Sequence, residues 1–278
     1  MAISLLNNIA ALQAENQLNQ TSNNLQSTLF QLSSGSRLNS GADDPAGLEI
    51  ANGLEANITA LNQSATNANE GVGLAQTADG ALAQVTNLLN RATTLATEAA
   101  NGTNTGAQLT ALNTEYTSIQ NEINQIGLNT TFNGTSVFQA GTTSIFLSDG
   151  GAAETLANAT IGVSPGTLAA SGAGGLGLTA GLTSTANAAT ALTQITSAIQ
   201  TVAATRGSLG AAVNRLNAAS NVETAQVQNL TSAEDGITAA NIPQEVTKLS
   251  QFSVLDQTGI SSLTQANNSL QNILGLFR

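Results

Sequence analysis

Two stretches at opposite ends of this chain carry the same pattern of apolar positions. From 2 to 33, Ala11, Leu18, Leu25 and Leu32 repeat every seven residues, and Leu5, Ile9, Leu12 and Leu29 widen the stripe. From 244 to 278, Ile260, Leu263, Leu270, Leu274 and Phe277 follow steps of three and four, with Asn267 at the polar seam position. Such spacing predicts long helices with coiled-coil seams, and a lone helix cannot bury a seam. Each stretch therefore requires a partner. Either each is a packing helix of a bundle, or the two pair with each other and with further copies.

Between them the pattern changes character several times. The stretch 33–47, SSGSRLNSGADDPAG, has no period and reads as an irregular connector. A helix then starts at Pro45 and keeps its stride through Leu54, Ile58, Leu61, Ala65, Ala68, Val72 and Ala75. It falters at Asp79-Gly80, resumes through Leu82, Leu89 and Ala96, and stops at Asn101-Gly102. Gly71, Gly73 and Gly80 inside this helix each cost about 1 kcal/mol relative to Ala, which points to close approach of a neighbouring backbone. A shorter helix carries Leu109, Leu112, Tyr116, Ile119, Ile123 and Ile126 and ends at Gly127, making a hairpin with its predecessor. From about 129 to 184 the pattern predicts short β segments, at Val137-Phe138 and 144–147, and a glycine-rich loop at 171–182. A fourth helix spans about 188–233 through Leu192, Ile195, Ile199, Val202, Leu209, Val213, Leu216, Val227 and Leu230, with Arg206, Ser220 and Glu223 on the same seam. It breaks near Asn241-Ile242-Pro243, where the last helix begins.

The expected fold is mainly α: an elongated helical rod with a small β-hairpin region at its tip and paired terminal helices. The domains would be 1–33 with 243–278, a connector at 34–46, and the rod at 47–242 with its β region at about 129–184.

Composition sharpens this. Charged residues make up 8% of the 278 positions and aromatic residues 3%, so the faces outside the seams are built from Asn, Gln, Ser and Thr. Neutral polar faces lose less on burial than charged ones, as suits a protein packed into an assembly. The net charge of −11 leaves too few cations for a phosphate backbone, which argues against nucleic acid. No apolar run reaches the length of a membrane span, and the first residues lack the basic lead and apolar core of a secretory signal.

Candidate chemistry is sparse. Asp43 and Asp44 could face a metal, but with no His, no Cys and no third carboxylate nearby they read as caps for the helix at Pro45. No zinc site and no Ser-His or Cys-His nucleophile can be assembled, and no cofactor is expected. A carboxylate-only hydrolase would need two acids across a cleft, which nothing in the pattern provides.

Four blocks resemble bacterial flagellin over essentially the whole chain. They are Leu32 to Gly35 with Arg37, Asn39, Ser40, Asp43, Asp44, Ala46, Gly47 and Ile50; Asn67 to Gly71 with 75–77 and 80–82; Arg206-Gly207 with 209–211, Asn214-Arg215 and Asn229-Leu230; and Leu263, 265–267 and 271–274. The chain departs from the usual pattern at Ala239 and Asn241, where acidic residues are common, and at Pro243, so a sharper break is expected there. It is similar to a short form without the outer variable domains.

The resemblance implies a non-enzymatic filament subunit, exported unfolded through the flagellar type III apparatus and located outside the cell. Its implied partners are further copies of itself, the filament cap, hook–filament junction proteins and an export chaperone. Assembly contacts are expected at Leu5, Ile9, Leu12, Leu18, Leu25, Leu32, Ile260, Leu263, Leu270, Leu274 and Phe277. The match also extends to Arg91, Leu95 and Glu115, a patch that Toll-like receptor 5 reads in some flagellins, although Thr93 stands where a second basic residue is common. The alternative within the same resemblance is a hook–filament junction protein.

Overall fold

The computed structural model describes residues 8–148, 159–172 and 174–276, without the side chains at 270 and 272–276. Leu5 and Phe277, and the side chains of Leu270 and Leu274, lie outside the described residues. Five helices carry the fold: α1 (Ile9–Ser34), α2 (Pro45–Ala99), α3 (Gly106–Asn129), α4 (Thr185–Thr238) and α5 (Ile242–Leu276). Between α3 and α4 come β1 (Thr131–Phe132), β2 (Thr135–Ser136), β3 (Thr143–Phe146) and β4 (Thr160–Val163). The chain divides into two compact units, Met1–Ala56 with Asn229–Arg278, and Asn57–Gln228.

The larger unit is a helical core with two small hairpins. Leu82, Val85, Leu89, Ala92 and Ala96 of α2 share one buried cluster with Tyr116, Ile119 and Ile123 of α3 and Ile195, Val202, Leu209 and Leu216 of α4. Each fully buried Leu or Ile side chain contributes about 1.5–3 kcal/mol. The buried stripe of α4 runs Ala188, Ala191, Ile195, Ala198, Val202, Leu209, Ala212, Leu216, Glu223, so alanines fill four of its nine positions. Leu192, Ile199 and Val213 flank it, half-buried.

Helix α2 does not falter at Asp79-Gly80: it is continuous over 55 residues, because the buried row Ala75, Ala78, Leu82, Val85 continues through the glycine. Asp79 also pairs with Arg206 across to α4 at 2.7 Å. Of its glycines, Gly71 is required by packing, since a Cβ there would stand 2.8 Å from Ile145 Cγ1 and 3.1 Å from Leu216 Cδ1. Gly80 meets nothing within 4 Å.

The β region also differs from expectation. Val137 and Phe138 are not strand residues but buried members of the helical core. The hairpins are β1–β2, turning through Asn133 (φ 50°) and Gly134 (φ 76°), and β3–β4, with Thr143 opposite Val163 and Phe146 opposite Thr160. The glycine-rich stretch is a loop, held down by side-chain amides. Asn113 Oδ1 accepts from Leu182 N, Asn124 Oδ1 from Ala170 N, and Gln194 Oε1 from Thr179 N and Ala180 N. Leu178 and Leu182 are buried beneath it.

Low charge leaves the helices with many hydroxyls to satisfy. Thr66, Thr86, Thr93, Thr117, Thr196 and Thr258, among others, donate to the carbonyl four residues back. A back-bonded hydroxyl already has its acceptor, so a neighbour covering such a face strands no hydroxyl donor.

Candidate functional site

In the smaller unit, α1 packs along α5. The residues of α1 that turn inward are Ala11, Ala14, Leu18, Thr21, Leu25, Thr28 and Leu32, a strict heptad seam. Thr21 and Thr28 are buried in it, their hydroxyls donating to Gln17 O and Asn24 O at 2.9 Å. On α5 the matching seam is Glu245, Leu249, Phe252, Asp256, Gly259, Leu263 and Ala266. Gly259 receives Leu18 as a knob into a hole: a Cβ there would stand 3.1 Å from Leu18 Cδ1. Near the start of α1, Asn8 Nδ2 donates to Ala266 O at 3.3 Å, fixing the register of the pair.

The seam corrects half of the sequence-based register. Leu18, Leu25, Leu32 and Leu263 lie on it. Ile260 and Asn267 stand one residue off it and are exposed, because the small residues Gly259 and Ala266 occupy the inward positions.

The displaced apolar residues form a second set, outside the pair. On α1, Ile9 is 59% exposed, Leu12 58% and Phe30 69%, with Leu29 beside them; on α5, Ile242, Val246, Val254, Leu255 and Ile260 are exposed. The pair of helices thus buries one apolar face and leaves others uncovered. Large apolar side chains left exposed along two adjacent helices offer an interaction surface.

The connector is pinned rather than loose. Gly35 caps α1 in the left-handed conformation (φ 70°), and Ser36 forms an antiparallel bridge with Ala239. Arg37 N donates to Thr238 O at 2.7 Å, Ala240 N to Gly35 O at 2.9 Å, and Arg37 Nε to Ile237 O at 2.6 Å. Backbone pairing therefore supplies the contact where the sequence lacks acidic residues.

Of the two aspartates only Asp44 caps α2, whereas Asp43 turns back onto the connector. Asp43 Oδ2 accepts from Asn39 N and Ser40 N, and these backbone bonds hold its carboxyl below the ordinary range. Asp44 Oδ1 accepts from Gly47 N at 3.0 Å, with Pro45 in the first helical position. A Cβ at Gly47 would displace the Asp44 carboxylate from its capping position. Among the described residues no group of three or more His, Cys, Asp or Glu could hold a metal ion, and no helix is long and apolar enough to cross a membrane.

At the start of α5, Asn241 Oδ1 accepts from Gln244 N at 3.3 Å, and Glu245 pairs with Lys248 at 2.7 Å. These residues, with Gln31, Arg37 and both aspartates, line a polar cavity of about 590 Å³. Elsewhere, Arg91 and Glu115 pair at 2.7 Å between α2 and α3, both about half exposed. Leu95 does not join them at the surface: it is 1% exposed and belongs to the core, so the expected three-residue patch reduces to the ion pair.

Two family models match the chain. Residues 5–143 match the bacterial flagellin N-terminal helical region, and residues 192–277 match the bacterial flagellin C-terminal helical region.

The chain belongs to the bacterial flagellin family.

Among flagellins it is 45% identical over 146 residues to the B-type flagellin of Pseudomonas aeruginosa, covering 52% of this chain and 30% of that protein. It is 41% identical over 134 residues to polar flagellin F of Vibrio parahaemolyticus, covering 48% of this chain and 36% of that one. The chain thus spans about a third of the length of these flagellins. The crystal structure of Bacillus cereus flagellin aligns over 61% of this chain and 94% of its own, at 31% identity and a TM-score of 0.48.

Proposed function

We propose that this flagellin is a structural subunit of the flagellar filament, polymerising outside the cell to transmit torque rather than to catalyse a reaction. The observation that carries this reading is the pairing of α1 with α5, which buries one seam and leaves Ile9, Leu12, Phe30, Val254 and Ile260 exposed on the same two helices. A monomer gains nothing from these side chains, whereas packed copies bury them at about 25 cal/mol per Å². Low charge and back-bonded hydroxyls lower the desolvation cost of covering the remaining faces.

In this reading the chain travels unfolded through the flagellar export apparatus, escorted by a chaperone, and is laid down beneath a cap onto junction proteins. The absence of cysteine leaves no thiol to cross-link during passage. Binding of Toll-like receptor 5 at Arg91 and Glu115 requires the 2.7 Å pair between them to be shared with or surrendered to the receptor, and gains nothing from buried Leu95.

A chain ending at Ser250 tests the assignment. It keeps the core of the larger unit but loses most of α5, so it should remain folded by circular dichroism and fail to form sedimentable filaments. Normal filaments from this truncation would overturn the reading.

A further inference from the structure

We propose that Glu223 and Ser64 form a proton-operated clamp between α4 and α2. Glu223 occupies a seam position of α4 that the helix otherwise fills with Ala, Ile, Val or Leu. It is 6% exposed and Ser64 2%. The Ser64 hydroxyl donates to Glu223 Oε1 at 2.5 Å, while Glu223 Oε2 is buried without a partner. Beside the carboxyl lies a cavity of about 420 Å³ lined mainly by apolar groups, including Leu147, Ile161, Ala219 and Val222.

Among the described residues, no positive charge balances a carboxylate here. Arg215 lines the same cavity from α4 but lies two turns earlier and makes no ion pair with Glu223. On α2 the carboxylates flanking Ser64 in sequence, Glu55 and Glu70, are exposed. Leu147 and β4 bring Thr160 and Ile161 to the cavity and no titratable group. A charged Glu223 thus carries one hydrogen bond and a stranded oxygen, a costly state in a low-dielectric site. Burial pushes its carboxyl above the ordinary range, opposed in part by the Ser64 bond.

Proton uptake from solvent resolves the mismatch without any covalent exchange beyond the O–H itself. The neutral acid donates to Ser64 Oγ, and the Ser64 hydroxyl turns to the Ala60 carbonyl four residues back, in the same way that Thr66 donates to Asn62 O and Thr86 to Leu82 O on α2. The sign follows from the raised pKa. The clamp is fully favourable below the unfolded value near 4.5 and is lost as pH rises through the folded value. It therefore loosens as pH rises above the ordinary carboxyl range, with a sign opposite to that of Asp43.

The test uses the full-length monomer. Carbon-13 NMR of the glutamate carboxyls should show Glu223 titrating above the ordinary range, and further above it in Ser64→Ala, which removes the opposing bond. Urea unfolding from pH 4 to pH 7 should show the wild-type chain losing stability relative to Glu223→Gln as pH rises. Amide exchange over 216–227, corrected for intrinsic rates, should quicken in the wild type but not in that variant. Titration at or below 4.5, or parallel pH profiles for wild type and Glu223→Gln, would overturn the proposal. If Glu223→Gln does not fold, the wild-type titration decides alone.

Discussion

Gly259 of α5 sits so close to Leu18 of α1 that a methyl group added to it would stand 3.1 Å from Leu18 Cδ1. The contact lies at the tip of a flexible side chain, so size decides the outcome. Gly259→Ala should be near neutral, its gain in helix propensity of about 1 kcal/mol offsetting a shift of Leu18. Gly259→Leu should overpack the seam by about 1–3 kcal/mol and separate α1 from α5. Amide exchange across α1 reads the difference: protection should persist in the first variant and collapse in the second.

The cap at Asp44 makes a second prediction. Asp44→Ala should cost about 1 kcal/mol by removing the acceptor for Gly47 N. Gly47→Ala should cost at least as much, because the new Cβ displaces the same carboxylate. Combining the two should cost less than the sum of the singles, since the displaced group is already absent. Chemical denaturation of the three variants checks this.

Asp43 supplies a pH dependence of ordinary sign. Its carboxyl is held low by the Asn39 and Ser40 amides, so its stabilising effect is present above the unfolded value of 3.8 and is lost as pH falls through the folded one. Asp43→Asn should flatten that part of the acid unfolding profile while leaving the neutral region nearly parallel to the wild type.

These positions also show what was legible in the sequence. The five helices and the chain's two ends as partners could be read from apolar spacing, and Asp44 could be read as a cap from the proline that follows, whereas Asp43 binds the connector amides instead. The register was only half legible. A pattern search favours large apolar residues, so Ile260 stood in for Gly259 and Asn267 for Ala266. The inward residues are small because they let the two backbones close on Leu18. Thr21 and Thr28 were invisible for another reason: a threonine looks polar until its hydroxyl is seen donating to its own helix. Leu95 matched a surface motif by position but turns inward with Leu89 and Ala92. Glu223 was visible as a polar residue on a seam, yet Ser64 as its partner across 159 positions was not.

Core and surface apolar residues should separate cleanly in mutagenesis. Ile123→Ala, in the fully buried cluster, should destabilise the monomer by about 2–5 kcal/mol. Phe30→Ser, at a side chain already 69% exposed, should leave monomer stability within about 0.5 kcal/mol while impairing polymerisation. Thermal unfolding and sedimentation of the same two variants make the comparison.

The central claim is that the apolar residues left outside the α1–α5 seam are covered by other copies of the chain. A helical reconstruction of filaments grown from the purified protein measures this directly. Ile9, Leu12, Phe30, Val254 and Ile260 should each be buried against neighbouring subunits, with Gly259 still seated on Leu18 of its own chain. Filaments in which those five side chains face solvent, or in which α1 and α5 have exchanged partners, would contradict the account.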